Sequence, residues 1–268
     1  MTDDVPGGQS AALTYTSYLA LDEILGAQRP RSDEHDEMLF IVIHQVYELW
    51  FKQLLHELAQ LQRSLEKGDT AHSTRTLRRA LTILKVVVAQ IDVLETMTPR
   101  QFTSFRERLD ESSGFQSGQF RELEAVLGRR DKRMLAPYGK DSDAHARITA
   151  AMTRPAVFDS FLRYLAGAGY DIAATDLGRD VGTQWTESED VQRVLVQVYR
   201  DDSGPSTVAD LLVDLDEGLQ EWRYRHVKMV ERTIGGKSGT GGSAGAAYLR
   251  TTLFHAVFPD LWAVRSQL

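Results

Sequence analysis

The 268-residue chain contains no cysteine. That absence removes disulfides, thiolate metal sites, cysteine-held iron–sulfur clusters, cysteine nucleophiles and covalent haem attachment through Cys-x-x-Cys-His. Long apolar runs are missing too. No stretch approaches the ~18 residues that span a bilayer, and the polar start from Met1 to Ser10 has neither the basic nor the apolar part of a secretory signal. A soluble, cytoplasmic protein without a membrane partner is expected. Positive charge is in deficit: 31 Lys and Arg face 38 Asp and Glu, a net charge of −7. Such a surface does not suit non-specific nucleic-acid binding. No segment alternates apolar and polar residues at period two, so no strand is predicted.

What the chain does have is helical periodicity. With 42% hydrophobic residues it can bury a substantial core, and the expected organisation is a disordered segment at 1–12 followed by a single all-α domain over 13–268. The stretch from Asp33 to Leu65 dominates. Steps of three and four residues from Phe40 give His44, Tyr47, Glu48, Phe51, Leu55 and Leu58, and Leu39, Ile43, Val46 and Trp50 form a second stripe beside them. Ser32 or Asp33 is positioned to cap this helix. An amphipathic helix follows from about Ala71 to Met97, and a capping box at Thr98-Pro99-Arg100-Gln101 opens another that includes Phe102, Phe105, Arg106 and Leu109. Further helices are predicted at 15–26, from Ser113 to Leu127, at 144–153, 156–166, 188–199 after a Thr186 box, and 246–258. Nothing firm is assigned to 167–185. A second long helix, Val208 to Thr233, carries Leu212, Leu215, Leu219, Trp222, His226 and Met229 on one face. The pattern predicts a helical bundle built on long antiparallel helices.

A lone histidine in an apolar stripe is ordinarily a satisfied core residue. Here two long helices, 182 positions apart (226 − 44), each present one histidine on an aromatic-rich face. A bundle can hold a flat apolar cofactor between two such helices, with one imidazole on its metal and the other over the open face. Other metal chemistry lacks its motif. The residues three before the seven histidines are Ser32, Ile41, Gln53, Asp69, Ser142, Arg223 and Thr252, so the Glu-x-x-His pairs of di-iron bundles are missing. His56-Glu57 is not completed to His-Glu-x-x-His, and Gly236-Lys237-Ser238 lacks the upstream glycine and strand of a phosphate loop. The glycine-rich run from Gly235 to Gly245 reads as a connector or as a mobile lid presenting Thr240. Arg106 has two readings: arginines on helices are ordinarily solvated, yet beside Phe102 and Phe105 this one suits a two-pronged grip on a carboxylate.

These residues carry a family likeness. Tyr18-Leu19-Ala20-Leu21-Asp22, His35-Asp36-Glu37 through Glu48-Leu49-Trp50-Phe51-Lys52, Phe105-Arg106 with Ser112-Ser113-Gly114-Phe115-Gln116-Ser117, Trp222-Arg223-Tyr224-Arg225-His226 and Gly239-Thr240-Gly241-Gly242-Ser243 occur in this order. The chain resembles the tryptophan 2,3-dioxygenase family from Tyr15 to Arg265. The resemblance implies one haem b per subunit with His226 as axial ligand, and His44 as the distal residue accepting a hydrogen bond from the substrate indole. It implies Phe40 and Leu109 as pocket walls, Arg106 on the substrate carboxylate, Thr240 with the haem propionates on the ammonium group, and Ser113 and Gly114 close to haem and ligand. It also implies a homotetramer in which Tyr15 and Tyr18 reach the pocket of a neighbouring subunit. The expected reaction is insertion of O₂ across the C2–C3 bond of L-tryptophan to give N-formylkynurenine, in tryptophan catabolism by the kynurenine pathway. Phe102 departs from the tyrosine of some members and removes a hydroxyl near the pocket. Two alternatives stay open at this point: a haem monooxygenase of a tryptophan derivative in secondary metabolism, and a haem-binding sensor, which has no need of a zwitterion clamp.

Overall fold

A computed structural model describes residues 12–109, 116–237 and 249–268. Every regular element among them is helical. The frame consists of α3 (His35–Glu66), α4 (Thr70–Leu94) and α11 (Gly204–Ile234), with α4 packed against both α3 and α11. Of the stripe predicted on α3, Tyr47, Phe51 and Leu58 are buried while Phe40, His44, Glu48 and Leu55 are half-buried; Ile43 of the second stripe and Leu54, Leu61 and Leu65 complete the inward face. Asp69 accepts from the backbone N–H of His72 at 2.9 Å and starts α4 only three residues after α3 ends, so the two helices run antiparallel. The Tyr47 hydroxyl crosses to the Val87 carbonyl at 3.1 Å. Gly218 lets α11 approach α4 closely, since a Cβ there would stand 2.8 Å from Leu84 Cδ2.

Shorter helices close the bundle around this frame. They are α5 (Pro99–Arg106), α6 (Gly118–Leu127), α7 (Asp143–Met152), α8 (Val157–Gly167), α9 (Ala174–Leu177) and α10 (Glu189–Arg200). The capping box at Thr98 and Gln101 forms as predicted, and a 3₁₀ turn carries the chain on to Leu109. α8 and α6 lie on α3, while α5 touches both α3 and α11. The last helix, α12 (Pro259–Ala263), is fastened by Asp216 of α11, whose carboxylate accepts from Val257 N, Phe258 N and Trp262 Nε1 at 2.7, 3.0 and 2.9 Å.

Several boundaries differ from the predicted ones. The N-terminal helix divides into α1 (Tyr15–Leu19) and α2 (Leu21–Leu25), because Ala20 adopts a left-handed φ of 49° that no continuous helix allows. Neither Ser32 nor Asp33 caps α3; the buried Glu37 instead draws in Ser32 N, Ser32 Oγ and Arg31 N. Ser188, not Thr186, caps α10. α11 begins at Gly204, where Pro205 occupies the first turn and needs no hydrogen-bond acceptor for its nitrogen. The helix predicted over 246–258 is corrected: of its described part only 249–250 are helical, 251–254 form turns and 255–258 are irregular, and regular helix resumes at Pro259. The predicted disorder at 1–12 falls almost wholly outside the described residues, as do 246–248 and the capping box at Ser113; α6 is capped by Ser117.

Candidate active site

α3, α5, α6 and α11 meet along a band of rings. At one end Phe40 stands 4.1 Å from the His44 ring centroid and 5.7 Å from both Phe102 and Phe105, which themselves meet edge-on at 5.5 Å. At the other end Phe51 meets Phe120 at 5.4 Å and Trp222 at 6.2 Å, and Trp222 lies nearly parallel to His226 at 5.1 Å, tilted by 18°. On α3 the first group sits about two to three turns before the second, so the helix holds both at fixed spacing.

The two imidazoles are prepared differently. His44 Nδ1 lies 2.7 Å from the Phe40 carbonyl, which can only accept, so Nδ1 carries the proton and Nε2 keeps its lone pair. Burial pushes the His44 pKa below the ordinary value, with the Phe40 carbonyl and Glu48 pulling weakly the other way. His226 is lowered to about 4, first by burial, then by the charges of His44 and Arg121. The two histidine-bearing helices do pack on each other, since Phe51, two turns after His44 on α3, meets Trp222, one turn before His226 on α11, at 6.2 Å. Both rings are neutral near pH 7 and keep some accessible surface. Neither nitrogen of His226 has a hydrogen-bond partner among the described residues. Behind it lies a buried ionic cluster in which Glu124 holds Arg121 at 2.6 Å, Arg129 at 2.8 Å and Arg223 at 3.5 Å.

The donor set fits one kind of metal centre. No group of three or more His, Asp or Glu side chains among the described residues could enclose a bare ion. A single neutral imidazole without a protein partner suits an iron whose other donors come from a macrocycle. Trp222 Nε1 adds a second sign, since it is buried beside His226 with no hydrogen-bond partner.

The remaining sequence-predicted residues fall into three groups. Leu109 is buried at the end of the 3₁₀ turn, and Arg106 lies one turn beyond Phe102 at the end of α5, partly buried. Tyr15 and Tyr18 are 75% and 71% exposed on α1, away from their own chain's rings. Ser113, Gly114 and Thr240 lie outside the described residues.

A family model described as tryptophan 2,3-dioxygenase matches residues 4–170 and 175–268. The chain belongs to the tryptophan 2,3-dioxygenase family. The family's enzymes are haem-dependent, in keeping with the imidazole pair. The tryptophan 2,3-dioxygenase of Anaeromyxobacter dehalogenans is 66% identical over all of both chains. That of Herpetosiphon aurantiacus is 55% identical, covering 97% of this chain and all of its own, and that of Caulobacter vibrioides is 43% identical over 96% and 98%. These relatives carry the dioxygenase name and lend nothing to the single-oxygen alternative. No helix among the described residues is long and apolar enough to cross a membrane.

Sequence reasoning missed part of the setting. Trp222 was legible as the residue one turn before His226, and Phe105 as part of an aromatic run. Gln119 was not: its amide spans α6 to α3, donating to the Glu48 carbonyl at 2.9 Å and carboxylate at 2.8 Å, a pairing 71 positions apart with no local signal.

Proposed function

We propose that this chain, acting as one catalytic domain over residues 13–268, inserts both atoms of O₂ across the indole C2–C3 bond of L-tryptophan to give N-formylkynurenine. His226 would hold the iron of one haem b per subunit, and Ser113 and Gly114 would border the haem and substrate. The haem supplies the iron at which O₂ is activated. The chain's own residues do the rest by positioning.

Phe40, Leu109 and the neighbouring Phe102 and Phe105 wall the indole and exclude water. His44 accepts the indole N–H through Nε2, because Nδ1–H is committed to the Phe40 carbonyl. It orients the ring; a neutral imidazole with a lowered pKa is a poor reservoir for a proton. Arg106 grips the substrate carboxylate with two parallel bonds, and Thr240 with the haem propionates holds the ammonium group. Fixing both charged ends selects the free amino acid over indole or a peptide. Tyr15 and Tyr18 close the pocket of a neighbouring subunit in a homotetramer located in the cytoplasm.

The observation that supports this reading is the packing of the two histidine-bearing helices, in which Phe51 of α3 meets Trp222 of α11 and Trp222 stacks on His226. Its test is turnover of reduced, haem-loaded protein with L-tryptophan and ¹⁸O₂. A product bearing two labelled oxygen atoms is expected. One labelled atom would establish the monooxygenase, and unchanged tryptophan the sensor.

A further inference from the structure

Only two buried side-chain polar atoms among the described residues lack a hydrogen-bond partner, Gln90 Oε1 and Trp222 Nε1. A buried indole N–H left unpaired costs on the order of 1–3 kcal/mol, and buried tryptophans usually find an acceptor. Trp222 sits one turn before His226 on α11, its ring stacked on the imidazole at 5.1 Å and 18°. Phe120 at 4.6 Å and Phe51 at 6.2 Å fix the other sides of the indole. The N–H is thus held in one place beside His226, with no acceptor among the described residues.

Resting on the haem reading above, we propose that Trp222 is a positioning residue whose indole N–H donates to a carboxylate of the porphyrin. A metalloporphyrin's ring nitrogens are taken by its metal, so its strong acceptors are the two propionates. The surroundings favour an anion. Arg121 lies 5.8 Å over the Phe120 ring that packs on Trp222, and Arg223, the residue after Trp222, is largely buried with it around Glu124. One group then performs two tasks: the stacked ring sets the plane of His226, and its N–H sets the rotation of the macrocycle about the iron–imidazole axis. The propionates in turn serve the substrate ammonium group, so this rotation bears on substrate binding.

The test compares ferric haem with its dimethyl ester, in which both propionates are capped, by titration into haem-free protein followed at the Soret band. Wild type is expected to prefer haem by about tenfold or more, the scale of a hydrogen bond to a charged group. Trp222→Phe keeps the stacked ring and loses the N–H; it is expected to bind haem more weakly and the ester unchanged, bringing the two near parity. A purely structural role would weaken both porphyrins alike. Trp222→Met serves the same comparison if the phenylalanine variant does not fold. Equal binding of the two porphyrins by wild type, or an undiminished preference in the variants, overturns the proposal. Failure of either porphyrin to give a Soret band with wild type would instead overturn the haem reading itself.

Discussion

Arg106 ends α5 one turn beyond Phe102, so its guanidinium leaves the helix where the aromatic wall stops. Arg106→Ala is expected to raise KM for L-tryptophan by about 10²-fold, the cost of leaving a desolvated carboxylate unpaired. Arg106→Lys should recover only part of this, because an ammonium cannot make the two parallel bonds; steady-state kinetics on both variants checks the pair. Glu124 makes a different demand. Burial alone raises its pKa, yet the charges of Arg121, Arg129 and Arg223 outweigh burial and hold it below 4.5. With a folded pKa depressed below the unfolded one, its contribution is fully present above pH 4.5 and is lost as pH falls through the folded value. Glu124→Gln is expected to cost about 3–5 kcal/mol at pH 7. Denaturant melts should show that gap closing in acid, and a gap independent of pH would contradict the assignment.

At the scale of elements, the two histidine-bearing helices were legible because their stripes are local: residues three and four apart share a face whatever the rest of the chain does. The capping box before α5 was legible for the same reason. What escaped was decided by distant partners. The C-terminal segment turns before Pro259 because Asp216, about forty positions earlier, collects two of its backbone N–H groups and the Trp262 indole. Nothing in the helical spacing of 246–258 encodes that carboxylate. Asp216→Ala is therefore expected to lower stability by about 3 kcal/mol, since it strands three buried or half-buried donors, and to loosen 251–268; thermal melts and limited proteolysis near Arg265 measure the two effects. The start of α3 follows the same logic, with Glu37 gathering Arg31 and Ser32 where a simple Ser32 cap was expected. Of the candidate site, the helix faces that carry His44 and His226 could be read from spacing, and the roles proposed for them and for Arg106 come from the family resemblance, whereas the Gln119 bridge to Glu48 could not be read at all.

At the scale of the whole molecule, α1 and α2 bury no residue within the single chain, and Leu13, Tyr15, Tyr18 and Leu25 are all more than 70% exposed. Apolar surface of this kind is favourable only when covered. Removal of residues 1–18 is expected to weaken both assembly and tryptophan binding while leaving haem uptake intact; light scattering and substrate titration of the truncated protein read these separately. A tetramer with unchanged KM would show that the tyrosines do not cross between subunits. The proposed role of the α3, α4 and α11 frame is to bring His44 and His226 to a single site, and haem titration of three proteins tests that arrangement most directly. Wild type and His44→Ala are predicted to take up one haem per chain with a strong Soret band, and His226→Ala to lose it; a normal Soret band in His226→Ala would contradict the account.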